Sequence, residues 1–261
     1  MKTIIGNWKM YVGVRESVAL ARGMLYALRG KKIVPHVVIC PSFVALSDVR
    51  KIITRSHVAL GAQDMFWEET GAYTGEISSR MLSELAVSYV LIGHSERRHS
   101  LGETDEMIGK KVQQVFRSGM TPVLCVGETA EERAQGKTQE IVEQQLHQDF
   151  AGVEYPPASE LFIAYEPRWA IGTGMAATPQ DAVVMHQSIR GWVKEIFPSI
   201  RDEQIHVLYG GSVDGANAYA FLREKEIDGV LVGGASVKLT LMQEVLSAAI
   251  EAMEGEAHQS S

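Results

Sequence analysis

The stretch Leu161-Phe162-Ile163-Ala164-Tyr165-Glu166-Pro167 places five apolar residues in a row before a carboxylate. A strand with one wet face alternates apolar and polar residues. An unbroken run is what a parallel strand buried on both faces requires. Seven other runs have the same form, at residues 3–8, 37–40, 58–62, 89–92, 121–126, 205–209 and 229–232. They recur about every 30 residues, the length of one βα unit. Between them lie helical patterns. Val14, Val18, Ala21, Leu25 and Leu28 step by four and three, and Gly30 is a stop signal. Thr178-Pro179 opens a second helix as N-cap and first-turn proline, with Ala182, His186, Ile189, Val193 and Ile196 on one face. Thr104 caps a third, which runs to Gly119. Eight such units without a linker or a composition shift predict an α/β fold, a single-domain (β/α)8 barrel over residues 1–250. An open doubly wound sheet is the competing arrangement. Residues 251–261 read as a frayed polar tail.

Composition narrows the function. The chain has 261 residues, 46% apolar and 22% charged, which excludes a disordered protein. A chain of this length buries roughly 70–75% of its unfolded surface and needs no disulfide or structural metal. The net charge of −7, with no Lys/Arg cluster, argues against nucleic acid as a partner. No apolar run reaches the ~18–20 residues of a membrane span. The start, Met1 to Lys9, lacks a signal-type apolar core, so a cytoplasmic location is expected. Cys40 and Cys125 each close an apolar run and read as buried free thiols rather than a disulfide.

In a barrel of this kind the active site lies at the C-terminal ends of the strands. Those ends carry Asn7-Trp8-Lys9, Gly93-His94-Ser95-Glu96, Gly127-Glu128, Glu166-Pro167-Arg168-Trp169, Gly210-Gly211-Ser212 and Gly233-Gly234. Two Gly-rich turns after adjacent final strands let backbone N–H groups approach a phosphate, and Ser212 adds a hydroxyl. A carboxylate at the tip of a buried strand, such as Glu166, is placed to act as a general base; a solvated turn glutamate is the plainer reading. His94 ahead of a short helix favours a neutral imidazole that donates a hydrogen bond; a structural histidine is the alternative. Lys9, two residues from Asn7 on the same strand face, is placed to hold negative charge or simply to be solvated. Residues 167–176 combine Trp169 and Ile171 with glycines and read as a lid. The string from Gly172 to Ala177 matches GxGxxA, but it neither follows a strand directly nor leads to a ribose-binding acid, so no dinucleotide is expected. Metal-ligand spacing is absent, and the remaining histidines (His36, His57, His147, His186, His206 and His258) read as surface or helix-face residues. The long segment from Gln63 to Glu76 exposes Met, Phe, Trp and Tyr and reads as a subunit interface rather than a self-packed loop.

Taken together and in order, these strings resemble the triosephosphate isomerase family. The match runs through Gly6-Asn7-Trp8-Lys9-Met10, residues 61–78, Ile92 to Arg98, Pro122 to Glu128, Ala164-Tyr165-Glu166-Pro167, residues 169–174, Tyr209 to Val213 and residues 229–236. The resemblance implies a cofactor-free, metal-free homodimer that interconverts dihydroxyacetone phosphate and glyceraldehyde 3-phosphate. It implies Glu166 as the proton-shuttling base, His94 as the neutral electrophile, Lys9 as the charge that stabilises an enediolate and Asn7 as its orienting neighbour. Glu96 matches a buried glutamate of the family site. Gly172, Ser212, Gly233 and Gly234 match the phosphate-binding backbone, and Thr74 the tip that reaches the partner's site. The family is itself a standard illustration of acid and base groups tuned by their surroundings, so these roles rest on the resemblance. The sequence departs from the family at the lid, where Arg168 replaces a small apolar residue and Met175-Ala176 replaces Lys-Thr. Arg168 is expected to pair with a carboxylate in one lid state. A four-carbon sugar-phosphate isomerase and a barrel that has lost catalysis are the alternatives; the intact Asn7, Lys9, His94 and Glu166 speak against the second.

Overall fold

Alternate residues of a strand point to opposite faces, so a run that is apolar throughout needs two apolar surroundings. The computed structural model supplies both, and describes residues 1–171 and 177–259. Eight parallel strands, β1 (Thr3–Asn7), β2 (His36–Cys40), β3 (Val58–Ala62), β4 (Tyr89–Ile92), β5 (Thr121–Val126), β6 (Leu161–Tyr165), β7 (Ile205–Tyr209) and β8 (Gly229–Val232), pair in chain order. The eighth returns to the first, with Gly6 opposite both Ile39 and Val232. Closure leaves no unpaired sheet edge and excludes the open doubly wound arrangement. Ile5, Val38, Leu91, Val123, Phe162, Leu208 and Leu231 form one buried cluster, while Ile4, Val37, Ile39, Ile92, Leu124 and Ile163 belong to a second that includes the helices. Each of these fully buried side chains contributes about 1.5–3 kcal/mol over an exposed one.

The helices are α1 (Val14–Leu28), α2 (Leu46–Ile53), α3 (Ser79–Glu84), α4 (Ser95–Ser100), α5 (Asp105–Arg117), α6 (Ala130–Ala134), α7 (Thr138–Asp149), α8 (Pro179–Ile196), α9 (Ala218–Leu222) and α10 (Leu239–Gln259). Thr104 and Thr178 cap α5 and α8 through their side chains, accepting from Met107 N–H and Asp181 N–H. In α1 the buried centre is Ser17, Leu20, Ala21 and Met24, so Val14, Val18, Leu25 and Leu28 flank the stripe and are half-buried. The expected polar tail differs most. Residues 251–259 continue α10, because Ala248, Ala249 and Ala252 keep a buried face and Glu256 pairs with the buried Lys2 at 3.0 Å. Among the described residues no helix is long and apolar enough to cross a membrane.

His186 is fully buried on α8, on the apolar face that it shares with Ala182, Ile189 and Val193. The loop after β3 also packs partly on itself: Met65 is buried, and the Phe66 ring lies 4.0 Å from Trp67 and 4.6 Å from Tyr73. Cys40 and Cys125 are buried free thiols, as the sequence predicts.

Candidate active site

The C-terminal ends of β1, β4 and β6 converge on one cavity of about 620 Å³, lined by Asn7, Lys9, His94, Glu166, Ser212, Gly233 and Gly234. A larger groove of about 1000 Å³ lies outside the barrel between Trp67, Lys110 and Gln148, away from these groups. The rim cavity is the candidate site because the ionisable and hydrogen-bonding groups meet there.

Lys9 adopts φ +48°, a left-handed conformation that costs a non-glycine residue on the order of 1 kcal/mol or more. Its neighbours hold it there. Asn7 Oδ1 accepts the Lys9 N–H at 3.0 Å, and Gln63 Nε2 donates to Lys9 O and to Cys40 O, both at 2.9 Å. Asn7 thus acts on the backbone of Lys9. The Lys9 ammonium lies 2.6 Å from Glu96 Oε1. It also packs against Gly233, where a Cβ would stand 3.2 Å from Lys9 Cε and 3.5 Å from its Nζ. Glu96 itself is half-exposed, at 53% of its side chain. The buried position that the resemblance implies does not hold within one chain, because Glu96 lies in the first turn of a six-residue surface helix.

His94 is the N-cap of α4. Its Nδ1 accepts the Glu96 N–H at 3.2 Å, so that nitrogen carries no proton and the ring proton sits on Nε2. Nε2 points to Glu166 Oε1 at 3.2 Å. Glu166 is 2% exposed and fixed at both ends: its N–H donates to Val126 O at 2.7 Å, and its Oε2 accepts the Ser95 N–H at 2.9 Å. Gly210 lets the β7 end approach, since a Cβ there would stand 2.9 Å from Glu166 Cγ. Burial pushes the neighbouring Cys125 thiol well up, with the Glu166 carboxylate adding to the effect, so it stays protonated beside the site.

Ser212 N–H and Oγ both donate to Ala170 O, at 3.1 and 2.5 Å, which ties the β7 loop to the segment after β6. Gly233 precedes a short 3-10 turn at Gly234–Val237. Gly172, Met175, Ala176 and the GxGxxA string up to Ala176 lie outside the described residues, as does the middle of the predicted lid. Its flanks are described. Trp169 Nε1 donates to Glu128 Oε1 at 2.8 Å, and Tyr165 Oη donates to Glu128 Oε2 at 3.0 Å. Burial raises the Glu128 carboxyl, and these hydrogen bonds pull it back. The Arg133 guanidinium lies 4.0 Å over the Trp169 ring. On the far side, Ala177 N–H donates to Tyr209 Oη at 3.2 Å. Arg168 is exposed and forms no ion pair among the described residues; it lies near His99, whose pKa is lowered first by burial and then by that guanidinium.

Sequence reasoning placed Glu128 on the rim without a role, and missed Gln63 and the Ser95 N–H as parts of this arrangement. Gln63 and Glu128 do follow strand ends, and that position is the signal that marks them. Thr74 is exposed at the tip of the loop after β3. Among the described residues no group of three or more His, Cys, Asp or Glu is placed to hold a metal ion.

A closed (β/α)8 barrel with a carboxylate facing an imidazole N–H and a lysine at its C-terminal rim is a barrel enzyme of the acid–base type. The model of the triosephosphate isomerase family matches residues 2–249. Over 234 residues the chain is 46% identical to the triosephosphate isomerase of Thermoanaerobacter sp. (strain X514), covering 90% of this chain and 94% of that protein. It is 44% identical to the one from Carboxydothermus hydrogenoformans over 247 residues, 95% of this chain and 98% of the relative. That of Roseiflexus sp. (strain RS-1) is 46% identical over 235 residues, 90% and 92% of the two chains. The chain belongs to the triosephosphate isomerase family.

Proposed function

We propose that the chain interconverts dihydroxyacetone phosphate and D-glyceraldehyde 3-phosphate, an intramolecular aldose–ketose isomerisation without cofactor or metal. The observation that carries the reading is the facing pair of buried groups, His94 Nε2 and Glu166 Oε1, 3.2 Å apart in one cavity with Lys9. A proton on a carbon beside a carbonyl needs a base, a donor to the carbonyl oxygen and a charge for the enediolate that forms. Glu166 takes the proton from one carbon and returns it to the next. His94 Nε2–H donates to the oxygen on which charge develops. The Lys9 ammonium stabilises that charge, Asn7 holds the Lys9 backbone, and Glu96 locates the ammonium. Ser212, Gly233, Gly234 and Gly172 bind the phosphate. Residues 167–176 exclude water, which protects the enediolate from loss of phosphate.

Met10, Tyr11, Val44, Tyr73, Met81 and Leu101 are large apolar residues exposed on the single chain. Exposed apolar side chains of this size support a homodimer, in which Thr74 reaches the partner's site. The two buried free thiols fit a reducing, cytoplasmic setting.

The test is isomerase activity on glyceraldehyde 3-phosphate, with Glu166→Asp and a panel of four-carbon sugar phosphates alongside. Glu166→Asp retracts the carboxylate by one methylene, and kcat is expected to fall about 100-fold with KM little changed. Turnover of the four-carbon substrates alone, or full activity in the variant, overturns the reading. Light scattering decides the dimer; a monomer at micromolar concentration overturns it.

A further inference from the structure

Beneath the electrophile sits a side chain that the reaction scheme does not use. Arg98, on α4, donates from Nε to Gly93 O at 2.8 Å and from Nη2 to Cys125 O at 3.0 Å. The same guanidinium donates to Asp149 Oδ2 and to Asp105 Oδ1, each at 2.5 Å. It closes on Gly93, where a Cβ would stand 2.9 Å from Nη2. Gly93 has φ +70° and is the residue that turns the chain from β4 into His94. Cys125 precedes Val126, whose carbonyl receives the Glu166 N–H at 2.7 Å. One planar cation therefore spans the backbone that carries the electrophile and the strand end that seats the base. Lysine, a point charge, cannot span these acceptors.

The carboxylates that hold Arg98 come from separate elements. Asp105 opens α5 and Asp149 ends α7. Asp149 is fully buried, and its Oδ1 has no hydrogen-bond partner. A carboxylate removed from water with one oxygen unused is costly, and well-packed apolar side chains often serve stability as well as a buried ion pair or better. What Asp149 supplies is a fixed second point of attachment for the guanidinium.

We propose that Arg98 is a positioning residue for the isomerisation: clamped by Asp149 and Asp105, it holds the Gly93 and Cys125 carbonyls and so aims His94 relative to Glu166. The proposal rests on the reaction proposed above. Its test uses Asp149→Asn, which keeps the side-chain volume, and Arg98→Lys, which keeps the charge. Each is assayed for kcat and KM, for binding of inorganic phosphate, and for the 15N resonances of the His94 imidazole, assigned with His94→Gln. The expected result for Asp149→Asn is a kcat about 10-fold lower with KM and phosphate affinity within two-fold of the parent, and a displaced His94 Nε2 signal. Arg98→Lys is expected to lose about 100-fold in kcat. A lowered Tm with kcat and the His94 resonances unchanged makes the cluster purely structural and overturns the proposal. If Arg98→Lys does not fold, Asp149→Asn alone decides. A parent chain without isomerase activity overturns the reaction instead, and the His94 resonances then decide the positioning role separately.

Discussion

His186 turns acid into a measurable destabilisation. It is fully buried on α8, its Nδ1 lies 3.4 Å from Glu226 O, and its Nε2 has no partner. Burial lowers its pKa from 6.5 to about 3, with Arg190 lowering it further and the Glu226 carbonyl opposing. The unfolded chain binds a proton at this residue below pH 6.5, whereas the folded chain binds none until about pH 3. The folded state is therefore unpenalised above pH 6.5 and loses stability as pH falls from 6.5 through 3. Each pH unit in that window costs about 1.4 kcal/mol, so a drop to pH 4.5 costs about 2.7 kcal/mol. Asp64 and Asp149, raised to about 6 and about 7 by burial, work the opposite way, because the folded state binds their protons more readily. A comparison of the parent with His186→Leu cancels these carboxylates. The assay is urea unfolding followed by tryptophan fluorescence at pH 7.5, 6.0 and 4.5, at one protein concentration. The stability of the variant relative to the parent is expected to rise by about 2.7 kcal/mol from pH 7.5 to 4.5. A difference that stays flat within about 0.5 kcal/mol refutes the reasoning, because it means that His186 is hydrated or protonated in the folded state.

Arg168→Val replaces an exposed guanidinium at the start of the segment proposed as a lid with a small apolar side chain, and turnover is expected to change; identical kcat and KM in a stopped-flow assay reject a role for the guanidinium there. Trp169→Phe removes the 2.8 Å hydrogen bond to Glu128 Oε1 while keeping a smaller aromatic face under Arg133. It is expected to cost about 1.5–3 kcal/mol in urea unfolding, because the buried carboxylate loses a donor; a loss below 0.5 kcal/mol means that Glu128 finds another partner.

The eight strands were legible because a parallel barrel buries both strand faces, and only runs without alternation satisfy that. Six of the eight runs match the observed strands residue for residue, and the other two differ by one residue at an end. Candidate site residues could be named from the same fact, since in this architecture the residue after each strand lies on the rim. Local chemistry also predicted the caps at Thr104 and Thr178. The polar tail was misread because composition does not show that Ala248, Ala249 and Ala252 share a buried face. His186 was legible as a member of the apolar face of α8, but not the lack of a partner for its Nε2, which depends on what packs against that face. The buried charges had no signal at all. Lys111 reaches Asp64 at 2.7 Å and also pairs with Glu103, yet each alone reads as an ordinary surface charge.

What the sequence determined by itself is therefore what repeats or stays local: the βα period, the unbroken apolar runs, the caps, and which residues follow each strand. Strand closure then dictates that those residues share a rim. The tertiary structure alone decided how they face each other. The 3.2 Å approach of His94 to Glu166, the Lys9–Glu96 pair and the four acceptors around Arg98 join segments up to 87 residues apart. Such contacts depend on distances set by the barrel's register and by left-handed turns at Lys9 and Gly93, and no periodicity along the chain encodes them.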